Sequence, residues 1–300
     1  MSTPVALTPY EELEPFTQNE NHIENLKAVN SLLKETKETQ WEEHIKGIDL
    51  LRRLYKYERT FMFTLINDLQ LEEVIGSFMT SIRTARAKAS IQFVKELFSQ
   101  YEFEFNTNNK PIQLVYLVGF FIPKILKAAC SDKGFLREEA NKCLTEISNN
   151  MFYGKTILVL LRECMDKNQK QVDIAFNTLV NLLNNLERNY LNYYTHWDQI
   201  FSGLVNIYSI KKDFYQKKVG KIILLFEELI SKERYGEILR NYCKEEDQKI
   251  LAQAMTYYKK KVLDKGLTST TNTTSKTIKD FIKASKGKQT LKGEINIEIL

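Results

Sequence analysis

The residues able to do covalent or metal chemistry are few in this sequence, and they are scattered. His22, His44 and His196 stand far apart, and Cys130, Cys143, Cys164 and Cys243 show no Cys-x-x-Cys spacing. Neither set matches a zinc site or a disulfide framework, so the cysteines read as reduced and mostly buried. Glu138 and Glu139 are adjacent and point to different helix faces, so they cannot act as a paired acid and base. Glu163 and Asp166 are three apart, and a solvated helix end accounts for them. No glycine-rich phosphate loop, nucleophile elbow or His-Glu-x-x-His motif is present. The sequence therefore predicts no enzyme, no cofactor and no metal. What remains is recognition chemistry. Trp41 is followed along the chain by Arg83 with Thr84, Lys133, Lys167, Lys170, Lys211, Lys212 and Lys244. An aromatic followed by spaced cations suits an acidic protein surface, because the ring buries the most area and the cations steer the encounter.

Those residues need a scaffold that lines them up. Behind Trp41, the residues Ile45, Ile48, Leu51 and Leu54 recur at helical spacing. Trp41 lies outside that stripe, at the mouth of the helix. It either plugs the end of a helical pair or meets a partner. From His22 onward, helix, short polar loop and helix alternate. The second pair combines 61–79, broken near Leu69, with 85–101. The later pairs are 112–130 with 136–148, 155–165 with 172–186, 196–208 with 214–229, and 234–242 with 247–263. Comparable loop positions fall at 41, 83, 133, 170, 212 and 245, giving spacings of 42, 50, 37, 42 and 33 residues. Two-helix periods of about 40–47 mark HEAT-type repeats. The long spacing reflects an inserted loop before Pro111, and the short one an abbreviated first helix in the last unit. One pair cannot bury its own apolar face, so the pairs must stack. The expected fold is all-α: six helical pairs over residues 22–263 in a flat α-solenoid, with the loops within the pairs in one row along an edge.

Composition agrees with that reading. The hydrophobic fraction is 43% and the charged fraction 27%, ordinary for a globular chain. Only 5 prolines occur in 300 residues, and three of them lie before Phe16. The net charge of +5 is too mild and too dilute to favour nucleic acid. The longest apolar run, 114–122, is far shorter than the roughly 20 residues of a membrane span, and no secretory signal pattern opens the sequence. A soluble, intracellular protein with no membrane partner is expected. Residues 1–21 form an acidic, proline-rich arm with Glu11, Glu12 and Glu14, read as a disordered tail in preference to a docking segment. Residues 264–300 form a polar linker and a basic tail.

Three segments resemble the TOG domain family, most like its CLASP and crescerin branch. Trp41-Glu42-Glu43-His44 before the apolar helix is similar to the family's first loop, Trp-x-x-Arg. Ser81-Ile82-Arg83-Thr84 with its alanine-rich continuation resembles the second, Ser-Leu-Arg-Ser. Lys133-Gly134-Phe135-Leu136-Arg137 looks like the third. The resemblance implies a non-catalytic module whose loop edge binds αβ-tubulin or microtubules. Trp41 and Arg83 would face β-tubulin, and Lys170 and Lys212 would face α-tubulin. It also implies a cytoplasmic, cytoskeletal setting, with cilium, axoneme and axonemal partners as the narrower case. Three positions depart from the family pattern. His44 replaces an arginine that stabilises the domain internally, Arg86 stands where an apolar residue is common, and Asp173 stands where an arginine is typical. The alternative is a HEAT-repeat scaffold that holds another protein without affinity for tubulin.

Overall fold

The computed structural model describes residues 7–17, 21–99, 112–151, 154–186, 191, 194–210 and 213–263. Among these residues there are thirteen α-helices and no strand. They form six successive pairs: α1 (His22–Asn30) with α2 (Trp41–Tyr57); α3 (Arg59–Leu69) and α4 (Leu71–Met79) with α5 (Thr84–Ser99); α6 (Ile112–Ala129) with α7 (Gly134–Asn150); α8 (Gly154–Glu163) with α9 (Gln169–Asn185); α10 (Trp197–Tyr208) with α11 (Asp213–Ile230); and α12 (Lys232–Tyr242) with α13 (Glu245–Tyr258). The stack is an all-α solenoid of the expected kind.

The apolar stripes read from spacing are the ones buried. On α2, Ile48, Leu51 and Leu54 are fully inaccessible, and the same core runs without a break through Phe93, Phe121, Phe176, Trp197 and Phe226. The expected interruption near Leu69 is a single residue. Gln70 adopts left-handed backbone angles (φ 51°, ψ 44°), ending α3 and starting α4 at a new angle. Lys34 donates to the carbonyl of Leu69 that this break exposes. A second non-glycine residue at positive φ, Ser231, forms the whole connection between α11 and α12, and its hydroxyl accepts from the amide of Arg234.

The second helices of the early pairs stack parallel and in constant register. Arg52 on α2 meets Glu96 on α5, and Tyr55 on α2 donates to the carbonyl of Leu97. The last pair departs from that order. Asp213, at the start of α11, meets Tyr257 at the end of α13, while Gly220 faces Ala254 and Tyr258. So the second half of α13, not its first turn, lies beside the first half of α11. Its first turn, with Lys244, therefore lies roughly 18 Å from the fifth loop at 1.5 Å per residue. This corrects the expectation that Lys244 continues the row of loop cations.

The arm is a second correction. Residues 7–17 are seated along the outer face of α2. Arg52, Arg53 and Lys56 donate to backbone carbonyls of the arm, Tyr57 donates to the Leu13 carbonyl, and Leu13 is buried. The reading as a disordered tail rested on acidic, proline-rich composition. What holds the arm is its backbone, and composition does not report backbone contacts. The basic tail at 264–300 lies outside the described residues.

Candidate protein-docking edge

Trp41 is the first residue of α2. Its ring is half-buried against the core. The buried part serves as a plug, and the remainder stays on the edge where a partner could meet it. Three residues further on, His44 is only 2% exposed. Its Nε2 lies 3.2 Å from the carbonyl of Thr36, and its Nδ1 lies 3.0 Å from the Arg86 guanidinium. An arginine can only donate, so Nδ1 accepts, and the ring is the neutral tautomer with its proton on Nε2 directed at Thr36.

Arg86 is the centre of this region. It is 3% exposed, and its guanidinium reaches Glu38 of the first loop at 2.7 Å and the Ser81 hydroxyl of the second at 2.7 Å. The Phe78 ring lies under both partners, 4.5 Å from the His44 ring and 4.6 Å from the guanidinium. The two departures at His44 and Arg86 are thus one device. The buried arginine that the family resemblance places beside the tryptophan is supplied here from the next pair, and His44 receives it. Sequence reasoning treated the two positions separately because 42 residues part them. A cavity of about 440 Å³ opens beside the cluster, lined by Lys34, Glu38, Val74 and Phe78 among others.

Burial lowers the His44 pKa below its ordinary 6.5, and the neighbouring Arg86 cation pushes the same way. The folded state therefore takes up the proton less readily than the unfolded chain. Stability is fully present above about pH 6.5 and is lost as pH falls from there through the folded-state pKa. The loss is at most about 1.4 kcal/mol per pH unit. Melting curves between pH 5 and 8 should show a fall on the acid side that His44→Gln flattens. An equal acid fall in both chains would remove His44 as its source.

The next loops repeat a simpler anchor. Ser81 accepts from the amide of Arg83 at 3.0 Å, and Ser131 accepts from the amide of Lys133 at 3.2 Å. Arg137 reaches back to the Ser131 carbonyl just as Arg86 reaches Ser81. Asn168 caps α9 by accepting from the amides of Lys170 and Gln171. These contacts also join neighbouring loops. Arg86 ties the first to the second. A groove of about 220 Å³ lies between Ser81 of the second and Ser131 and Lys133 of the third. The Lys170 ammonium donates to the carbonyl of Cys130, joining the fourth to the third. The first four loops therefore form one continuous edge.

On that edge Arg83, Lys133 and Lys167 are exposed, and no described acidic residue pairs with them. Thr84 is half-buried at the start of α5. Lys170 is exposed but partly engaged by Cys130, which limits its reach toward a partner. Lys211 and Lys212 lie outside the described residues. Asp173 does not face the edge as a lost cation. It pairs with Lys218 at 2.9 Å and braces α9 against α11.

Sequence reasoning missed the apolar half of the edge. Ile82 is 82% exposed, Phe135 46%, Met165 41% and Ile210 37%, one in or beside each of the second to fifth loops. The signal was available in part, because Ile82 lies between two helices and belongs to neither apolar stripe. Large exposed apolar side chains at successive loops, with cations between them, are interface chemistry. Covalent chemistry finds no support. Cys143 and Cys164 are buried with their thiols pushed well up, and Cys243 is raised to about 11 by burial. None is an activated nucleophile. Among the described residues, no group of three or more His, Cys, Asp or Glu could hold a metal ion, and no helix is long and apolar enough to cross a membrane.

Fold and edge together define a helical-repeat protein of the TOG and HEAT type. The sequence profile described as CLASP N terminal matches residues 23–206, more than half of the chain, and the chain belongs to that family. The match ends within α10, so α13 lies beyond it. Several solved structures are similar to the chain at low identity. An engineered protein is 15% identical with a TM-score of 0.36, over 79% of this chain and 97% of that one. A structure of microtubule polymerases with tumor overexpressed gene (TOG) domain arrays, described as a basis of tubulin recruitment and assembly, is 15% identical with a TM-score of 0.43, over 76% of this chain and 46% of that one. A designed armadillo repeat protein bound to the peptide (KR)4 is 13% identical with a TM-score of 0.36, over 80% of this chain and 100% of that one. No curated protein matches.

Proposed function

We propose that this chain is a non-catalytic tubulin-binding module that uses the loop edge to hold αβ-tubulin or the microtubule lattice. The observation that carries the reading is the pairing, at successive loops, of an exposed apolar side chain with an unpaired cation: Ile82 with Arg83, Phe135 with Lys133, and Met165 with Lys167. Family membership supports the same reading. The apolar groups bury area on docking. The cations each add roughly 0.2–1 kcal/mol in water and raise the rate of encounter with an acidic surface. A single edge of this size suits binding and stabilising an existing polymer. The reading implies a cytoskeletal location, with the axoneme as its narrower case.

The test is co-sedimentation of the full chain with polymerised tubulin at low and at moderate salt. Binding should be present at low salt and fall severalfold as salt screens the exposed cations. Gel filtration with unpolymerised αβ-tubulin separates heterodimer binding from lattice binding. Absence of the chain from the microtubule pellet at both salts, together with no co-elution, sinks the proposal and leaves a scaffold for another protein.

A further inference from the structure

Away from the edge, the most elaborately built contact is the seat of the arm on α2. Lys56 donates to the carbonyls of Tyr10, Glu11 and Leu13, each at 3.0 Å. Arg53 donates to those of Glu14 and Pro15, each at 2.7 Å, and its guanidinium lies over the Phe16 ring. Arg52 donates to the Thr8 carbonyl at 2.6 Å. Nearly every contact reads the backbone. Thr8 adds a side-chain hydrogen bond, because its hydroxyl as well as its amide donates to the same carboxylate oxygen of Asp49, at 2.9 and 3.1 Å. The residue after it is Pro9. A threonine followed by proline in an extended segment is the acceptor that proline-directed protein kinases take.

We propose that Thr8 is a phosphorylation site that unlatches the arm from α2. The γ-phosphoryl group of MgATP passes to Thr8 Oγ1. The new O–P bond forms as the bond to the bridging oxygen of ADP breaks, the hydroxyl proton goes to the base of the kinase, and ADP leaves. The modified side chain has lost the proton it donated to Asp49 and carries nearly two negative charges against that carboxylate. Asp49 and Arg52 touch Thr8 directly, Glu96 on α5 holds Arg52, Arg53 and Lys56 on α2 hold the arm further along beside its own Glu11, Glu12 and Glu14, and the Arg59 cation acts on Tyr10. Arg52 is the one described cation in contact with Thr8. Its Nε and Nη2 are held by Glu96 and its Nη1 by Asp49. The phosphate gains Arg52 only by taking it from Asp49, which breaks the same lock. Among residues 7–17 Leu13 alone is fully buried, so the arm is held chiefly by polar contacts near solvent and opens readily enough to be modified. Release strips the outer face of α2 at Asp49, Arg52, Arg53, Lys56 and Tyr57.

The test uses the full chain carrying Thr3→Ala, which removes the other Thr-Pro pair, treated with a proline-directed kinase and MgATP. Mass spectrometry locates the phosphate, and amide hydrogen exchange over residues 7–17 reads the arm. Phosphate on Thr8 with exchange at least tenfold faster is expected. Thr8→Glu should reproduce most of that change, and Asp49→Lys added to Thr8→Glu should restore protection. Thr8→Val, which loses one hydrogen bond and gains no charge, should leave the arm seated. Failure of the kinase to modify Thr8, unchanged or stronger arm protection after modification, or no rescue by Asp49→Lys would each overturn the proposal. The readout does not involve tubulin, so it is independent of the function of the edge.

Discussion

Replacing Arg52 by alanine is expected to destabilise the protein by about 3–5 kcal/mol, the cost of stranding one partner of a buried ion pair. Arg52 is 2% exposed, and its Nε and Nη2 form a two-pronged pair with Glu96, each hydrogen bond 2.7 Å long. Nη1 adds Asp49 at 2.5 Å and the Thr8 carbonyl at 2.6 Å. Burial already holds the Glu96 carboxyl above its usual range in spite of Arg52. Without the guanidinium, Glu96 and Asp49 face each other across a desolvated gap, and the arm loses its innermost anchor. For a domain of this size each kcal/mol moves the melting temperature by roughly 2–4 °C, so calorimetry should show a drop of about 10 °C. The double variant Arg52→Met with Glu96→Leu should recover most of the loss, because an apolar pair leaves no charge stranded. A single-variant loss under about 1 kcal/mol would show that the cluster is a solvated surface contact.

The second large effect concerns the last helix. Gly220 sits where α11 and α13 touch, and a Cβ there would come within 2.5 Å of the Ala254 carbonyl oxygen and closer still to Cβ of Tyr258. Both are fixed parts of α13, so the helix itself would have to move. Helix propensity alone makes Gly→Ala stabilising by about 1 kcal/mol. Overpacking costs about 1–3 kcal/mol, and here it should win. Gly220→Ala is therefore expected to be destabilising, and Gly220→Leu should detach α13, with fast hydrogen exchange confined to residues 245–258. Denaturant unfolding of Gly220→Ala decides the sign. A more stable Gly220→Ala would mean that α13 is not seated this closely.

Much of this fold is legible in the sequence because helical periodicity is a local property. The stripe Ile45, Ile48, Leu51 and Leu54 is buried as its spacing requires, and the break near Leu69 is one left-handed residue. What was not legible depends on contacts between distant residues or on the backbone. The Arg86–His44 bond joins positions 42 apart, and each residue alone looked like a departure from the family pattern. The arm is held through carbonyls, which every sequence possesses, so its acidic composition pointed the wrong way. Where α13 sits along α11 is set by contacts between the two helices, and amphipathic spacing does not report it. On the edge, the cations were visible as a row. Ile82, Phe135, Met165 and Ile210 were passed over because exposure is a property of the folded surface.

The edge carries the functional claim, and Trp41 together with Lys133 tests it most directly. Trp41 is half-buried at the head of the row, and Lys133 is exposed beside Phe135 at its centre. Microtubule binding isotherms should be measured for the parent chain and for Trp41→Ala combined with Lys133→Glu, after melting curves show that the variant folds. The variant should bind at least tenfold more weakly, since it loses an aromatic anchor and reverses a charge. A folded variant that binds microtubules as tightly as the parent would contradict it.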